Sequence, residues 1–190
     1  DAAEPDEQGI ITAVGAFFTD DHFDLSVDPG AAAVYADGVD ISGEIRSSEV
    51  SSHVSVVSGI IPVRNILIAA QRAFIAREAS ADSYSEGAGI VAEGRDITTV
   101  VAPEAEVRVL MTAREEVRAA RRAGQASAEA SVGSDDVAKR DAIDSKVTNF
   151  TTAADGVVTV DNSDMTLEQS VDAVASLVED ALEQQSYERY

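Results

Sequence analysis

Three charged side chains surround Gly94 in the stretch GIVAEGRDITTVVAP, residues 89–103. Arg95 offers a planar fork of N–H donors that matches a phosphate group. Glu93 and Asp96 carry carboxylates that can accept hydrogen bonds from an amino group or a sugar hydroxyl. The stretch therefore suits a phosphorylated ligand, and the equally favoured alternative is a structural Arg–Asp pair at the end of a strand.

A second group of basic side chains comprises four arginines within nine residues: Arg114, Arg118, Arg121 and Arg122. If this segment is helical, spacings of four and three residues place the first three on one face. Such a face can hold a polyphosphate. The pattern alone favours the alternative, which is a solvated face balanced by Glu115 and Glu116.

Three weaker patterns accompany these clusters. Arg140 and Asp144 are one helical turn apart, and the alternative to a ligand site is a surface ion pair. Arg64 lies near the start of a predicted helix. The alternative to a role in ligand binding is that its side chain extends along the protein surface with its charge in solvent. The segment DNSD, residues 161–164, is typical of a strand-to-helix turn, with a calcium loop as the alternative.

The charge balance excludes several classes of partner and site. Among 190 residues, 35 acids outnumber 14 bases, and the net charge of −21 repels nucleic acids and anionic membranes. Solubility alone accounts for such a charge. The chain has no cysteine, which excludes thiolate metal sites, and its two histidines have no metal-ligand spacing, so we expect no zinc site and assign no metal-ligating residue. No apolar run approaches the ~20 residues of a membrane span, and we expect a cytoplasmic protein.

Hydrophobic periodicity predicts helices at residues 10–18, 50–57, 62–74, 114–122, 135–146 and 166–185. It predicts strands at residues 23–27, 90–92, 106–113 and 156–161, and a hairpin at 32–41. Short strands that alternate with helices indicate an α/β fold with a mainly parallel sheet, in which the hairpin is an insertion. Ligands bind beyond the carboxyl ends of such strands, where Glu93, Arg95 and Asp96 follow the predicted buried strand 90–92.

Four segments together resemble the bacterial cytidylate kinases, the CMP/dCMP kinases of the P-loop nucleoside monophosphate kinase group. They are VDISGEIRSSEVSSHVSVVSGIIPVRNILIAAQRAF, GIVAEGRDITTVVAPEAEVRVLMTAREEVRAARR, RDAIDS and VVTVDNSDMTLEQSV. The resemblance covers nearly the whole chain and is strongest over residues 39–180. Its second segment is the most specific.

The resemblance implies a role for each candidate residue. The CMP pocket would be lined by Ser55, Arg64, Glu93, Arg95 and Asp96. Within it, the two arginines would hold the monophosphate, and the two carboxylates would face the cytosine or the sugar.

The resemblance also implies an ATP side. The lid that closes on ATP would contain Arg118, Arg121 and Arg122. In the RDAIDS element, Arg140 would bind phosphate and Asp144 a sugar. The implied reaction transfers the γ-phosphoryl group of ATP, with Mg²⁺, to CMP or dCMP in pyrimidine nucleotide metabolism.

The implied architecture is a three-layer α/β/α P-loop kinase fold in a single domain, residues 1–190. Residues 20–80 would form a CMP-side lobe, 114–146 the lid and its flanking helices, and 89–113 and 147–185 the core. The sequence contains no GxxxxGK[ST] loop. We therefore expect the family's first strand and phosphate-binding loop to precede these residues in a longer protein, and this chain alone to be inactive.

Two positions depart from the family pattern. Thr98 stands where the family has a glycine, and Val147 stands where it has an arginine. These departures favour an alternative, a non-catalytic relative that binds a nucleotide or a protein partner. Some members of the family are fused to a following GTPase domain, and the tail VEDALEQQSYERY is compatible with such a junction.

Overall fold

The structure is a computed structural model that describes residues 6–19, 22–126 and 152–188. The chain divides into two compact units, residues 1–92 and 93–190. The predicted helix 135–146 lies outside the described residues. No helix in the described ranges is long and apolar enough to cross a membrane.

The first unit contains three helices and a small antiparallel sheet. The helices are α1 (Glu7–Thr19), α2 (Ser48–Ser58) and α3 (Ile61–Arg77), and the strands are β1 (Phe23–Leu25), β2 (Val34–Ala36) and β3 (Val39–Asp40). Pro62 lies in the first turn of α3, where its missing N–H has no helical partner to lose. All three helices lie where hydrophobic periodicity predicts them, so these predictions are confirmed.

The hairpin of the first unit turns where the sequence predicts. Asp37 and Gly38 have φ angles of 52° and 74°, the left-handed values that a two-residue hairpin turn requires. Tyr35 pairs with Asp40 across the two strands, and Ala36 pairs with Val39. The Asp-Gly signal is therefore confirmed.

Aromatic rings join α1, β1 and α3 in the first unit. The ring centroid of Phe23 lies 4.9 Å from that of Phe18 and 5.9 Å from that of Phe74. Val63 of α3 is completely buried. The apolar faces that the periodicity predicted therefore pack against each other, and their burial stabilises this unit.

Glu78 closes the loop that follows α3. Its side chain is only 2% exposed, although it is charged. Burial raises the pKa of the Glu78 carboxyl. The hydrogen bond from the Ser85 N–H, at 3.2 Å, and the charge of the neighbouring Arg77 lower the pKa by more than burial raises it. The pKa of Glu78 therefore lies below its usual value. The Ser85 hydroxyl also donates to the Glu78 carbonyl at 2.8 Å, so the carboxylate and the loop hold each other in place.

The second unit contains a parallel strand pair with two helices. The strands are β4 (Val109–Thr112) and β5 (Val158–Asp161), and the helices are α4 (Glu115–Ala126) and α5 (Leu167–Glu188). The N–H of Thr166 donates to the side chain of Gln169 at 2.8 Å, and the Gln169 N–H donates back to the Thr166 hydroxyl at 3.1 Å. This reciprocal cap confirms the predicted start of α5.

The predicted buried strand 90–92 is wrong. Ile90, Val91 and Ala92 have no regular secondary structure, and Val91 is 90% exposed. A strand requires a neighbour that pairs with its backbone groups. Within the described ranges only β4 and β5 form a parallel pair, and the division between the two units falls directly after Ala92.

Candidate functional site

The carboxyl ends of β4 and β5 lie side by side. Thr112 at the end of β4 is in register with Asp161 at the end of β5, and the Asn162 N–H donates to the Thr112 carbonyl at 2.9 Å. Arg114 follows the first strand, and the turn 161–164 follows the second. Since ligands in parallel α/β sheets bind beyond this edge, it is the natural position for a site.

Arg114 is fixed to the turn through three contacts. Its guanidinium donates to both carboxylate oxygens of Asp164, at 2.9 Å from Nη1 and 2.6 Å from Nη2. Its backbone N–H donates to the Ser163 hydroxyl at 2.8 Å. The Asp164 carboxylate raises the pKa of Arg114, and the Arg114 guanidinium lowers the pKa of Asp164. A second acid, Glu116, accepts from Nε at 3.2 Å, so carboxylates flank the charge of Arg114 on two sides.

Arg121 contacts the same turn, but its acceptors are amide and backbone carbonyl oxygens rather than carboxylates. Nη1 donates to Oδ1 of the Asn162 amide at 2.9 Å, and Nη2 donates to the Asn162 backbone carbonyl at 2.8 Å. Both acceptors are neutral. Asn162 therefore fixes the plane of the Arg121 guanidinium and leaves its positive charge uncompensated.

The other predicted arginines of this segment lie in α4, which begins directly after Arg114. Arg118 is exposed, and its backbone N–H donates to the Arg114 carbonyl at 3.0 Å, so it follows Arg114 by one helical turn. Arg114, Arg118 and Arg121 therefore form one row along α4, as their spacing predicted. Arg122 lies in the same helix.

The carboxylates of the turn are engaged with protein donors. The Ser163 hydroxyl and N–H both donate to Asp161, which lowers the pKa of that carboxyl. Asp164 is held by Arg114. Across the described ranges, no group of three or more histidine, aspartate or glutamate side chains is placed to hold a metal ion. The turn therefore serves α4, and its geometry does not support a calcium loop.

The stretch 93–96 leads into a π-helical turn, Ile97–Val101. The Asp96 carbonyl accepts from the N–H groups of Val100 at 2.8 Å and Val101 at 3.1 Å. Glu93 and Arg95 are exposed, and Asp96 is half-buried. Such turns are frequent at functional sites, because they redirect the side chains that flank them.

Gly94 allows the chain to pass close to that turn. A Cβ atom at this position would lie 2.9 Å from Cγ1 of Ile97, too close unless the isoleucine moved. Thr98 is half-buried within the π-helical turn. The close approach at Gly94 therefore limits how the chain can enter the turn that follows Arg95 and Asp96.

Arg64 and Ser55 belong to the first unit. The Nη1 group of Arg64 donates to the carbonyl of Ser58, the last residue of α2, at 3.5 Å. A positive charge at this position stabilises the helix, because the C-terminal end of a helix carries a partial negative charge. Ser55 lies within α2. Arg140 and Asp144 lie outside the described residues.

Sequence reasoning missed the function of the turn 161–164. It identified a strand-to-helix turn but not that Asn162 and Asp164 hold two of the α4 arginines. The available signal was that the turn directly follows β5, whose carboxyl end adjoins the end of β4 in a parallel pair. A polar residue directly after one strand of a parallel pair is thus expected to lie near the residues that follow the neighbouring strand.

The sequence profile described as Cytidylate kinase matches residues 11–180. Three curated proteins named Cytidylate kinase are similar to this chain. The protein of Streptomyces griseus is 42% identical over 154 residues, which cover 80% of this chain and 63% of the relative. That of Cutibacterium acnes is 40% identical over 158 residues, covering 81% and 67%, and that of Corynebacterium glutamicum is 39% identical over 168 residues, covering 84% and 68%.

The chain thus spans about two thirds of the length of these curated relatives. The profile match contains the stretch 89–103, the arginine row of α4 and the turn 161–164. It also agrees with the parallel strand pair and its adjoining helices, which make the fold α/β. The chain therefore belongs to the cytidylate kinase family.

Proposed function

We propose that the intact protein transfers the γ-phosphoryl group of ATP to CMP or dCMP, giving ADP and CDP or dCDP. The relatives that carry the name Cytidylate kinase support this activity, since residues 11–180 match their family. The reaction belongs to pyrimidine nucleotide metabolism. A GTPase domain fused behind the kinase and a cytoplasmic location remain predictions.

The arginine row of α4 is the observation that carries the proposal. A chain with a net charge of −21 has few cations, yet Arg118 and Arg121 lie in one row on α4, next to the carboxyl edge of a parallel strand pair. Local positive charge in an acidic background concentrates anionic ligands. Arg118, Arg121 and Arg122 are the proposed contacts to the phosphates of ATP.

The acceptor side is assigned by the family pattern. In this proposal Arg64 and Arg95 hold the monophosphate of CMP, and Glu93 and Asp96 face its cytosine or sugar. Ser55 completes the pocket. The exposed position of Arg95 before a π-helical turn suits a side chain that meets a ligand. Arg140 and Asp144 are proposed to bind phosphate and sugar.

The proposed chemistry is a direct displacement at phosphorus. An oxygen of the acceptor phosphate forms a bond to the γ-phosphorus as the bond to the β,γ-bridging oxygen breaks, and ADP leaves with that electron pair. Charge spreads over the γ-phosphoryl oxygens in the transition state, so most of the catalysis is positioning and charge stabilisation by arginine N–H groups.

Mg²⁺ enters the proposal with ATP, as part of the substrate. Mg²⁺ is commonly held by substrate phosphates and one or two carboxylates. Within the described part of the chain, Asp161 and Asp164 are engaged by Ser163 and Arg114, and no three acidic side chains converge. In this proposal the arginines contact the phosphates, and the metal ion arrives bound to them.

A coupled assay of ADP release on the intact protein tests the proposal. We expect turnover that depends on CMP or dCMP, with UMP used far more slowly, and background ADP release without an acceptor. If no CMP-dependent turnover appears while ATP and CMP still bind, the protein is a non-catalytic relative and the proposed activity is wrong.

A further inference from the structure

Two arginines in the α4 row have partners of opposite electrical character. Arg114 is held by the carboxylates of Asp164 and Glu116. Arg121 is held by two neutral oxygens, both from Asn162. A charged partner cancels the positive potential that a guanidinium presents to an anion, whereas a neutral partner leaves it available.

The donors that remain on each side chain reinforce this contrast. A guanidinium has five N–H groups. Arg121 uses two of them on Asn162, one from each terminal nitrogen, so three remain for another acceptor. Arg114 uses three on carboxylates, one from each nitrogen. A phosphate would have to displace charge-assisted bonds at Arg114, but none of the contacts that Arg121 makes to Asn162.

We propose that Asn162 is a positioning residue, which orients Arg121 toward the phosphates of ATP without neutralising it. In the same arrangement Arg114 anchors the start of α4 through Asp164 and does not bind phosphate. This inference rests on the proposed function and adds to it the residue that sets the direction of one phosphate-binding arginine.

The local charge pattern gives the amide at position 162 its significance. Asp161 directly before it and Asp164 two positions after it are acidic, as are most charged residues of this chain. An aspartate at 162 could accept the same two bonds from Arg121, so geometry alone does not call for an amide. Arginine stays protonated beside either side chain, but only the neutral amide leaves its charge uncompensated for a phosphate.

Replacement of the Asn162 amide by a carboxylate of the same shape distinguishes a positioning role in ATP binding from a purely structural contact. In the intact protein, we expect Asn162→Asp to keep the contact with Arg121 and the melting temperature, but to raise the KM for ATP about tenfold. The KM for CMP should change much less. Asn162→Ala, which keeps the backbone acceptor and the charge of Arg121, should raise the KM for ATP by a smaller factor.

Two controls account for charge and for simple destabilisation. Ser176→Asp adds the same negative charge at an exposed position of α5 and should leave the KM for ATP within about twofold. Asp164→Asn removes the carboxylate from Arg114 and leaves the contact between Asn162 and Arg121 in place, so it should lower the melting temperature slightly and should not raise the KM for ATP. An unchanged KM for ATP in Asn162→Asp, with the wild-type melting temperature, would make the contact structural and overturn the proposal.

Equilibrium binding distinguishes failure of this inference from failure of the proposed function. If the wild-type protein shows no CMP-dependent turnover, calorimetric titration with ATP and with inorganic tripolyphosphate replaces the kinetic measurement. Weaker binding of both by Asn162→Asp supports the positioning role even without catalysis. Equal binding by the variant and the wild type, or no binding by the wild type, overturns it.

Discussion

The Arg114 guanidinium meets the Asp164 carboxylate through two side-by-side hydrogen bonds, of 2.9 Å and 2.6 Å, across 50 positions of sequence. This pair joins the segment after β4 to the segment after β5. It is largely solvent-exposed, with Arg114 46% and Asp164 81% accessible. Solvent screening makes such a pair a weak source of stability, so its main consequence is geometric.

Acid should remove the contribution of this pair to stability. Pairing lowers the pKa of Asp164 in the folded state. The stabilisation is therefore fully present above the unfolded pKa of about 3.9 and is lost as the pH falls through the lower folded value. We expect wild type and Asp164→Asn to differ in urea unfolding free energy at pH 7 and to converge near pH 2. An equal difference at both pH values would contradict an ionic contribution.

Arg95→Ala should impair the use of CMP more than the binding of ATP. Removing an arginine that clasps a phosphate costs about 2–5 kcal/mol where the site excludes water, which is roughly 30-fold to several-thousand-fold in affinity or rate. The measurement is CMP affinity and melting temperature on one sample of the intact variant. A lower melting temperature with unaltered CMP affinity would show that Arg95 is a structural residue.

Arg118→Ala should act through the ATP side. We expect the KM for ATP to rise by about tenfold or more, because a charged donor to phosphate is lost, while the KM for CMP stays nearly constant. Arg118→Lys keeps the charge but not the planar fork and should fall between wild type and the alanine variant. Equal changes in both KM values would instead indicate a general distortion of the site.

Gly156→Ala should destabilise the second unit. Gly156 has a φ angle of 72°, and a Cβ atom there would lie 2.6 Å from Nη2 of Arg108. The backbone strain alone costs about 1–2 kcal/mol. Gly124→Ala is the matched control, since Gly124 lies in α4 with no atom within 4 Å of a new Cβ, and it should stabilise by about 0.5–1 kcal/mol. Urea unfolding measures both, and a neutral Gly156→Ala would contradict the strain argument.

The sequence correctly predicted the hairpin and the five helices that fall within the described residues, because their signals are local. The apolar spacing of α3, the Asp37-Gly38 turn and the Thr166–Gln169 cap each act within a few residues. The residues 90–92 show where this approach fails. Their apolar character resembles that of a buried strand, but a strand also depends on a partner, which a short apolar run does not specify.

Contacts between distant segments were also outside the reach of pattern reasoning. Nothing in the sequence near Arg121 indicates that Asn162 will bind it, since 41 positions separate them. The burial of Glu78 is similar, because a carboxylate at a helix end is ordinarily exposed. The roles assigned to Ser55, Arg64, Glu93, Arg95 and Asp96 remain predictions.

The parallel register of β4 with β5 has a consequence for how ligand binding and folding are linked. The arginine row lies beside its turn only when two strands that are distant in sequence have paired, so forming this edge requires closure of a long loop. A ligand that binds the assembled edge binds only the native state. Saturating ATP should therefore raise the melting temperature in proportion to the logarithm of its concentration, and hydrogen exchange at the β4–β5 ladder should slow with it.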